Sequence, residues 1–157
     1  MNTIQVSAER GYEILIDVDW KAELTSLLNG RTRAALIVSE DMKSRIGEIS
    51  SGDTEIFTFP IPDGEAGKTS ATLLQLWNWL GAAGFTRNDV VIAIGGGATT
   101  DFGGYVAASW LRGIDWIAVP TTVAGMVDAA VGGKTAINSE YGKNLIGAFH
   151  SPIAVVI

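Results

Sequence analysis

Five consecutive apolar residues, Val90-Val91-Ile92-Ala93-Ile94, run directly into three consecutive glycines, Gly95-Gly96-Gly97. A strand that is apolar at every position has no side for water and must be covered on both faces, as in the interior of a parallel sheet. The glycines at its end let the backbone bend sharply and let a ligand approach the main chain closely. A helical pattern, Phe102 to Leu111, comes next. Its free N–H groups would point back at the turn and favour an anion such as a phosphate. This junction predicts a fold that presents the turn to a phosphorylated cofactor.

The flanking sequence repeats the alternation. Thr3 to Ala8 and Tyr12 to Val18 are predicted strands around Glu9-Arg10-Gly11. Asp19 is placed to cap a short helix carrying Leu24, Leu27 and Leu28, which ends at Asn29-Gly30. Ala34 to Val38 is a compact strand, and Ser39 an N-cap for a helix through Ile49. Glu55 to Phe59 alternates as the next strand and stops at Pro60. Thr69 or Ser70 caps a helix whose Leu73, Leu76, Trp77 and Leu80 share one face. Ile114 to Val119 is a further strand, stopped by Pro120, and Pro152 to Ile157 is the last. Between them, Val123 to Val131 has a short helical pattern, while Gly132 to Thr135 and Asn138 to Asn144 are expected to be loops. The whole predicts an α/β, Rossmann-like parallel sheet with helices on both faces, in three layers. Ligands of such sheets sit at the carboxyl ends of the strands. Polar or glycine-rich loops fall at those ends: Ser39-Glu40-Asp41, Asp63 to Lys68, Gly95 to Asp101 and Pro120-Thr121-Thr122.

Length and composition narrow the partners. The 157 residues suit one domain, and 47% hydrophobic against 18% charged residues is a globular balance. A formal charge of −6 argues against nucleic acid. No apolar run approaches the roughly 18 residues of a membrane span, and Met1-Asn2-Thr3-Ile4-Gln5 has no secretory pattern. The absence of cysteine rules out disulfides and thiolate metal sites and fits a cytoplasmic protein.

Taken singly, the motifs leave alternatives open. The glycine turn is not the G-x-G-x-x-G fingerprint, because position 100 is Thr, and no Gly-Lys-Ser/Thr closes it as a Walker loop. It either cradles phosphate or merely allows close helix–strand packing. Asp63-Gly64-Glu65-Ala66-Gly67-Lys68 could supply hydroxyl acceptors and a cation, or be a solvated turn. Glu40, ending a strand, could hold ribose hydroxyls or serve the helix dipole. Asp128, Lys134, Lys143 and Asn144 lie in the loosely patterned segment; the two lysines and the asparagine suit a second anion, or the group is scattered surface charge. His150, the sole histidine, has no partner at ligand spacing, so a structural role is expected for it.

Together these motifs resemble the N-terminal domain of 3-dehydroquinate synthase. The carriers are Pro62-Asp63-Gly64-Glu65 with Lys68, Gly95-Gly96-Gly97 with Asp101, Leu111-Arg112-Gly113, and Val119-Pro120-Thr121-Thr122. The run from Val127 through Asp128 to Lys134-Thr135 and the run Gly142-Lys143-Asn144 to Phe149 complete them, in matching order and spacing. The resemblance implies NAD lying across the carboxyl edge of the sheet. Asp63, Gly64, Glu65, Lys68, Gly96, Gly97, Ala98, Thr99, Thr100, Asp101, Thr121, Thr122, Lys134 and Lys143 would contact it, with Glu40 at the adenosine ribose. Asp128, Lys134 and Asn144 would face the substrate, a phosphorylated sugar acid. Arg112 would reach its phosphate across a homodimer interface.

By the same resemblance, 3-deoxy-D-arabino-heptulosonate 7-phosphate is converted to 3-dehydroquinate and phosphate, with NAD oxidising one carbinol transiently and being regenerated. This is a lyase of the shikimate pathway, which leads to chorismate and the aromatic amino acids. Two departures stand out. Ala98-Thr99-Thr100 replaces the usual aliphatic-aliphatic-glycine triplet, which moves the expected contacts there to the backbone. The family also continues into a helical domain whose Glu and two His bind zinc or cobalt. Residues 1–157 are therefore expected to be the NAD-binding domain without the metal ligands, inactive by itself. A related sugar-phosphate cyclase and a non-catalytic nucleotide-binding or dimerisation module are the alternatives.

Overall fold

A computed structural model describes residues 2–157. The main sheet has seven strands: β1 (Asn2–Val6), β2 (Tyr12–Ile16), β3 (Arg33–Ser39), β4 (Glu55–Ile61), β5 (Val90–Gly95), β6 (Asp115–Pro120) and, last in the chain, β9 (Ala154–Val156). Their spatial order is β1-β2-β9-β6-β5-β3-β4. Only the β1–β2 pair is antiparallel; every other neighbouring pair is parallel. Inner strands β3, β5 and β6 are buried almost throughout, as their unbroken apolar sequences require. Pro60 lies within β4 instead of ending it, because β4 is an edge strand and can lack one ladder donor.

Helices α1 (Trp20–Leu27) and α2 (Glu40–Ile46) cover one face of this sheet. Leu24, Leu28 and Ile46 pack there with Leu36, Ile92 and Ile117. Helices α3 (Ser70–Ala82) and α4 (Gly97–Ser109) cover the other. Leu73, Leu76, Leu80, Phe102 and Val106 pack there with Ile37, Val91 and Trp116. Asp19 caps α1 and Thr69 caps α3 through their side chains, as expected. Ser39 takes the N-cap position of α2 without a side-chain bond. Asp63 does that work from the next loop, its Oδ1 accepting from the Asp41 N–H at 3.1 Å. Helix α2 stops at Ile46, three residues short of the expected end, because Gly47 adopts φ 60°.

Two expectations fail in the second half of the chain. Helix α4 starts at Gly97, not Phe102, and within its first turn the buried Thr100 bonds its hydroxyl back to the Gly97 carbonyl at 3.1 Å. Its far end breaks after Ser109 into a short 3-10 turn, Trp110–Arg112, in which Leu111 has φ 49°. The predicted loops 132–135 and 138–144 are largely a hairpin, β7 (Lys134–Ser139) and β8 (Gly142–Phe149). Almost every residue of β8 is exposed, so no burial period marked it as a strand.

The hairpin lies over α4, which is held between two sheets. Adjacent glycines make that possible. A Cβ on Gly103 would stand 2.5 Å from the Ala93 Cβ, and one on Gly104 would stand 2.4 Å from Thr135 Cγ2. Trp116, fully buried beneath, donates Nε1–H to the His150 carbonyl at 3.0 Å. The His150 ring bonds the Ile114 carbonyl through Nε2 at 2.7 Å, which is the expected structural role. Among the described residues no helix is long and apolar enough to cross a membrane.

Candidate functional site

The strand register decides where the loops meet. Val38 pairs with Ile94, Ser39 with Ile61, and Gly95 with Pro120. The polar loops after β3, β4, β5 and β6 therefore leave the sheet at one edge and one level. From β3 the chain crosses outward to β4, whereas from β5 it crosses the other way to β6. The crevice between the ends of β3 and β5 is thus a topological switch point, where open parallel sheets bind ligands. Glu40 and the glycine turn flank it.

At the turn, Gly96 is the N-cap of α4, no side chain caps the helix, and its first turn holds no acidic residue. Gly97 and Ala98 are half-buried, and the free N–H groups of a helix start favour an anion. The glycines also serve packing. A Cβ on Gly96 would meet Thr122 Cγ2 at 3.3 Å, and one on Gly97 would meet the Ala129 Cβ at 3.1 Å. The packing reading of the turn therefore holds on this side of it. Thr99 and Thr100 are buried, so this part of the helix can offer a ligand backbone groups only. Thr121 gives its N–H to the Gly95 carbonyl at 2.8 Å. Thr122 accepts from the Gly125 N–H at 3.2 Å and so starts the helical turn Gly125–Ala129.

Lys68, expected as a cofactor contact, is deeply buried. Its side chain is 1% exposed. Its Nζ donates to Asp101 Oδ2 at 2.9 Å and to Asn144 Oδ1 at 2.5 Å. The lysine therefore joins the loop after β4, the second turn of α4 and the hairpin. Asp101, expected at a helix start, is one turn inside and finds its cation there. Burial raises the Asp101 carboxyl above the usual carboxylate range; Lys68 opposes this, and the like charges of Glu65 and Asp128 add to it.

A cavity of about 550 Å³ opens beside this cluster, lined by Asp101, Asp128, Lys134 and Asn144 with Leu145 and Phe149. Three of the four residues expected to face substrate therefore share one space. The fourth, Arg112, does not join them. It is exposed beyond the far end of α4, about 20 Å along the helix from the glycine turn. Its φ is 65°, beside Leu111 at 49° and Gly113 at 109°. Among the exposed residues of the loops, Asp63 is engaged on α2, and Glu65 accepts from Asn138 Nδ2 at 2.6 Å. Gly64 has φ 60°, and Glu40 and Lys143 stand on the surface outside the cavity. Sequence reasoning missed Asn138. The signal available was a pair of runs, 134–139 and 142–149, separated by only two residues.

The arrangement matches known proteins along its whole length. A family model described as 3-dehydroquinate synthase N-terminal matches residues 58–157. The 3-dehydroquinate synthase of Streptomyces avermitilis is 47% identical over 150 residues, 92% of this chain and 41% of that protein. A crystal structure of 2-deoxy-scyllo-inosose synthase with carbaglucose-6-phosphate, NAD+ and Co2+ superposes with a TM-score of 0.88. It is 26% identical, over 99% of this chain and 44% of that one. The 2-epi-5-epi-valiolone synthase of Streptomyces hygroscopicus subsp. jinggangensis, with NAD+ and Zn2+ bound, gives 0.83 at 27% identity, over 98% and 44%. The chain spans less than half the length of these relatives.

Proposed function

The chain belongs to the 3-dehydroquinate synthase family, and on that premise we propose that residues 1–157 form its NAD-binding domain. The observation that carries this is the adjacency of the uncapped α4 N-terminus and the cavity beside Lys68, with Gly97 packed on Ala129 of the cavity wall. The residues fit NAD. The N–H groups of Gly97 and Ala98 would take the pyrophosphate, with the loops carrying Asp63, Gly64, Glu65, Thr121 and Thr122 around it. Glu40 would hold the adenosine ribose across the switch point, and Lys143 would add a surface cation. When bound, NAD would supply a transient hydride acceptor.

On the substrate side, Lys134 offers an exposed cation to an anionic group. Asp128 accepts hydroxyl hydrogen bonds, and Asn144 orients the same molecule. Lys68 and Asp101 hold the wall between the two ligands. The substrate is a phosphorylated sugar acid, and the parent reaction is conversion of 3-deoxy-D-arabino-heptulosonate 7-phosphate to 3-dehydroquinate and phosphate. Arg112 would serve a second subunit of a homodimer, being remote from its own cavity. A cytoplasmic location is part of the same reading. Among the described residues no group of three or more His, Cys, Asp or Glu could hold a metal. A divalent metal thus does not fit these residues, and we assign no step to one here.

Calorimetry tests the reading. The chain should bind NAD at one site, and Gly97→Val should weaken binding about tenfold or more, since the side chain must displace Ala129 or tilt the N–H groups. Equal affinity in the variant and the parent would remove the pyrophosphate assignment.

A further inference from the structure

Asn138 belongs to none of the motifs above, yet it makes three hydrogen bonds to two separate segments of the site, the loop after β4 and strand β8. The hairpin loses register between Ile137, paired with Ile146, and Ser139, paired with Gly142, so Asn138 stands opposite the longer stretch Lys143 to Leu145 of β8. Left out of the ladder, the Asn138 N–H turns to the Lys68 carbonyl at 2.9 Å. Its Oδ1 accepts from the Asn144 N–H at 3.0 Å, and its Nδ2 donates to Glu65 Oε2 at 2.6 Å. The amide orientation follows from these partners: a main-chain N–H must face oxygen, which leaves nitrogen for the carboxylate.

Asn144 has φ 58°, a left-handed conformation that asparagine tolerates better than most non-glycine residues. Two contacts hold it there. Asn138 fixes its main chain, and Lys68 fixes its side chain. Both of those partners are anchored in the loop after β4, since Asn138 itself bonds Lys68 and Glu65.

We propose that Asn138 is a positioning residue that couples the nucleotide loop, Glu65 to Lys68, to the substrate-facing Asn144. Occupation of the loop by a nucleotide sets the Glu65 carboxylate and the Lys68 backbone. Asn138 passes that setting to the Asn144 main chain, so the substrate side is organised by the cofactor side. This rests on reading the loop as nucleotide-binding and Asn144 as substrate-facing.

The test is amide hydrogen exchange on the full chain, labelled with nitrogen-15, with and without NAD. In the parent, NAD should slow exchange at Asn144. Asn138→Ala should speed exchange at Asn144 about tenfold and remove its response to NAD, while Ala136 and Ile146 further along the hairpin stay within about threefold. Asn138→Asp keeps the acceptor for the Asn144 N–H but loses the donor to Glu65. It should leave Asn144 protected and unresponsive to NAD, and adding Glu65→Gln should restore the response through the new amide donor. Should Asn138→Ala not fold, Asn138→Asp with and without Glu65→Gln decides alone. Unchanged exchange at Asn144 in Asn138→Ala, or a rise shared equally by the whole hairpin, overturns the positioning role. NAD that binds by calorimetry without slowing Asn144 overturns the coupling. Failure of NAD to bind the parent would instead refute the nucleotide site, and the exchange of Asn144 without ligand would still judge Asn138.

Discussion

Lys68 and Asp101 pair at 2.9 Å with the lysine side chain almost wholly withdrawn from water. A buried ammonium needs a counter-charge, and removing that charge costs more than the pair itself contributes. Asp101→Asn should therefore destabilise the fold by about 2 kcal/mol, below the range for fully buried pairs because Asp101 retains some solvent contact. Urea unfolding at pH 7 checks this. Stability within about 0.5 kcal/mol of the parent would mean that Asn144 alone suffices for Lys68.

The two shifted carboxylates act oppositely with pH. Burial alone would raise Asp115, but Arg10 and Arg31 bond it at the amino edge of the sheet and hold it below the ordinary aspartate value of 3.8. A lowered folded value means stability that is present above the unfolded value and lost as pH falls through the folded one. Burial raises Asp101 from the same 3.8 against the pull of Lys68, so protonating it costs the fold less than protonating Asp115. Asp115→Asn should flatten the acid limb of a stability–pH profile below about pH 4. An unchanged acid limb would show that the arginines do not select the ionised form.

Gly104→Ala should cost about 1–3 kcal/mol through overpacking, since the new methyl would meet Thr135 2.4 Å away and Trp116 Cζ2 2.9 Å away. Gly84→Ala makes a useful contrast. Its φ is 71° with nothing within 4 Å, so its loss reflects backbone strain alone. Denaturation midpoints read both, and intact β7 packing in Gly104→Ala would show that α4 can shift under the hairpin.

Asp63→Ala should destabilise by about 1 kcal/mol, the loss of a helix cap, whereas Ser39→Ala should cost less than about 0.5 kcal/mol. The reverse ranking in thermal melts would return the capping role for α2 to Ser39.

Much of the fold was readable because its inner strands are apolar at every position. Val90 to Ile94 and Ala34 to Val38 could only be covered on both faces, and Leu73, Leu76 and Leu80 announced the helix that covers one of them. The hairpin was not readable. Strand β8 is exposed along nearly its full length and its two-residue turn, Glu140-Tyr141, lacks the usual Asn-Gly signal. Nor could the start of α4 be placed, because Gly97 is a poor helix former and the helix owes its first turn to packing.

The order of the chain by itself determined the alternation of strand and helix, the loops at the carboxyl ends of the strands and the family to which they belong. These follow from local periodicity and from glycine and polar residues at fixed places. Only the tertiary structure decided which of those residues act on one another. Lys68 faces Asp101 and Asn144, 33 and 76 positions away, and Asp63 caps a helix that is not its own. Asn138 meets the loop where the hairpin loses its register. Such partnerships arise where distant segments meet at the sheet edge, and no local pattern in the sequence encodes that meeting.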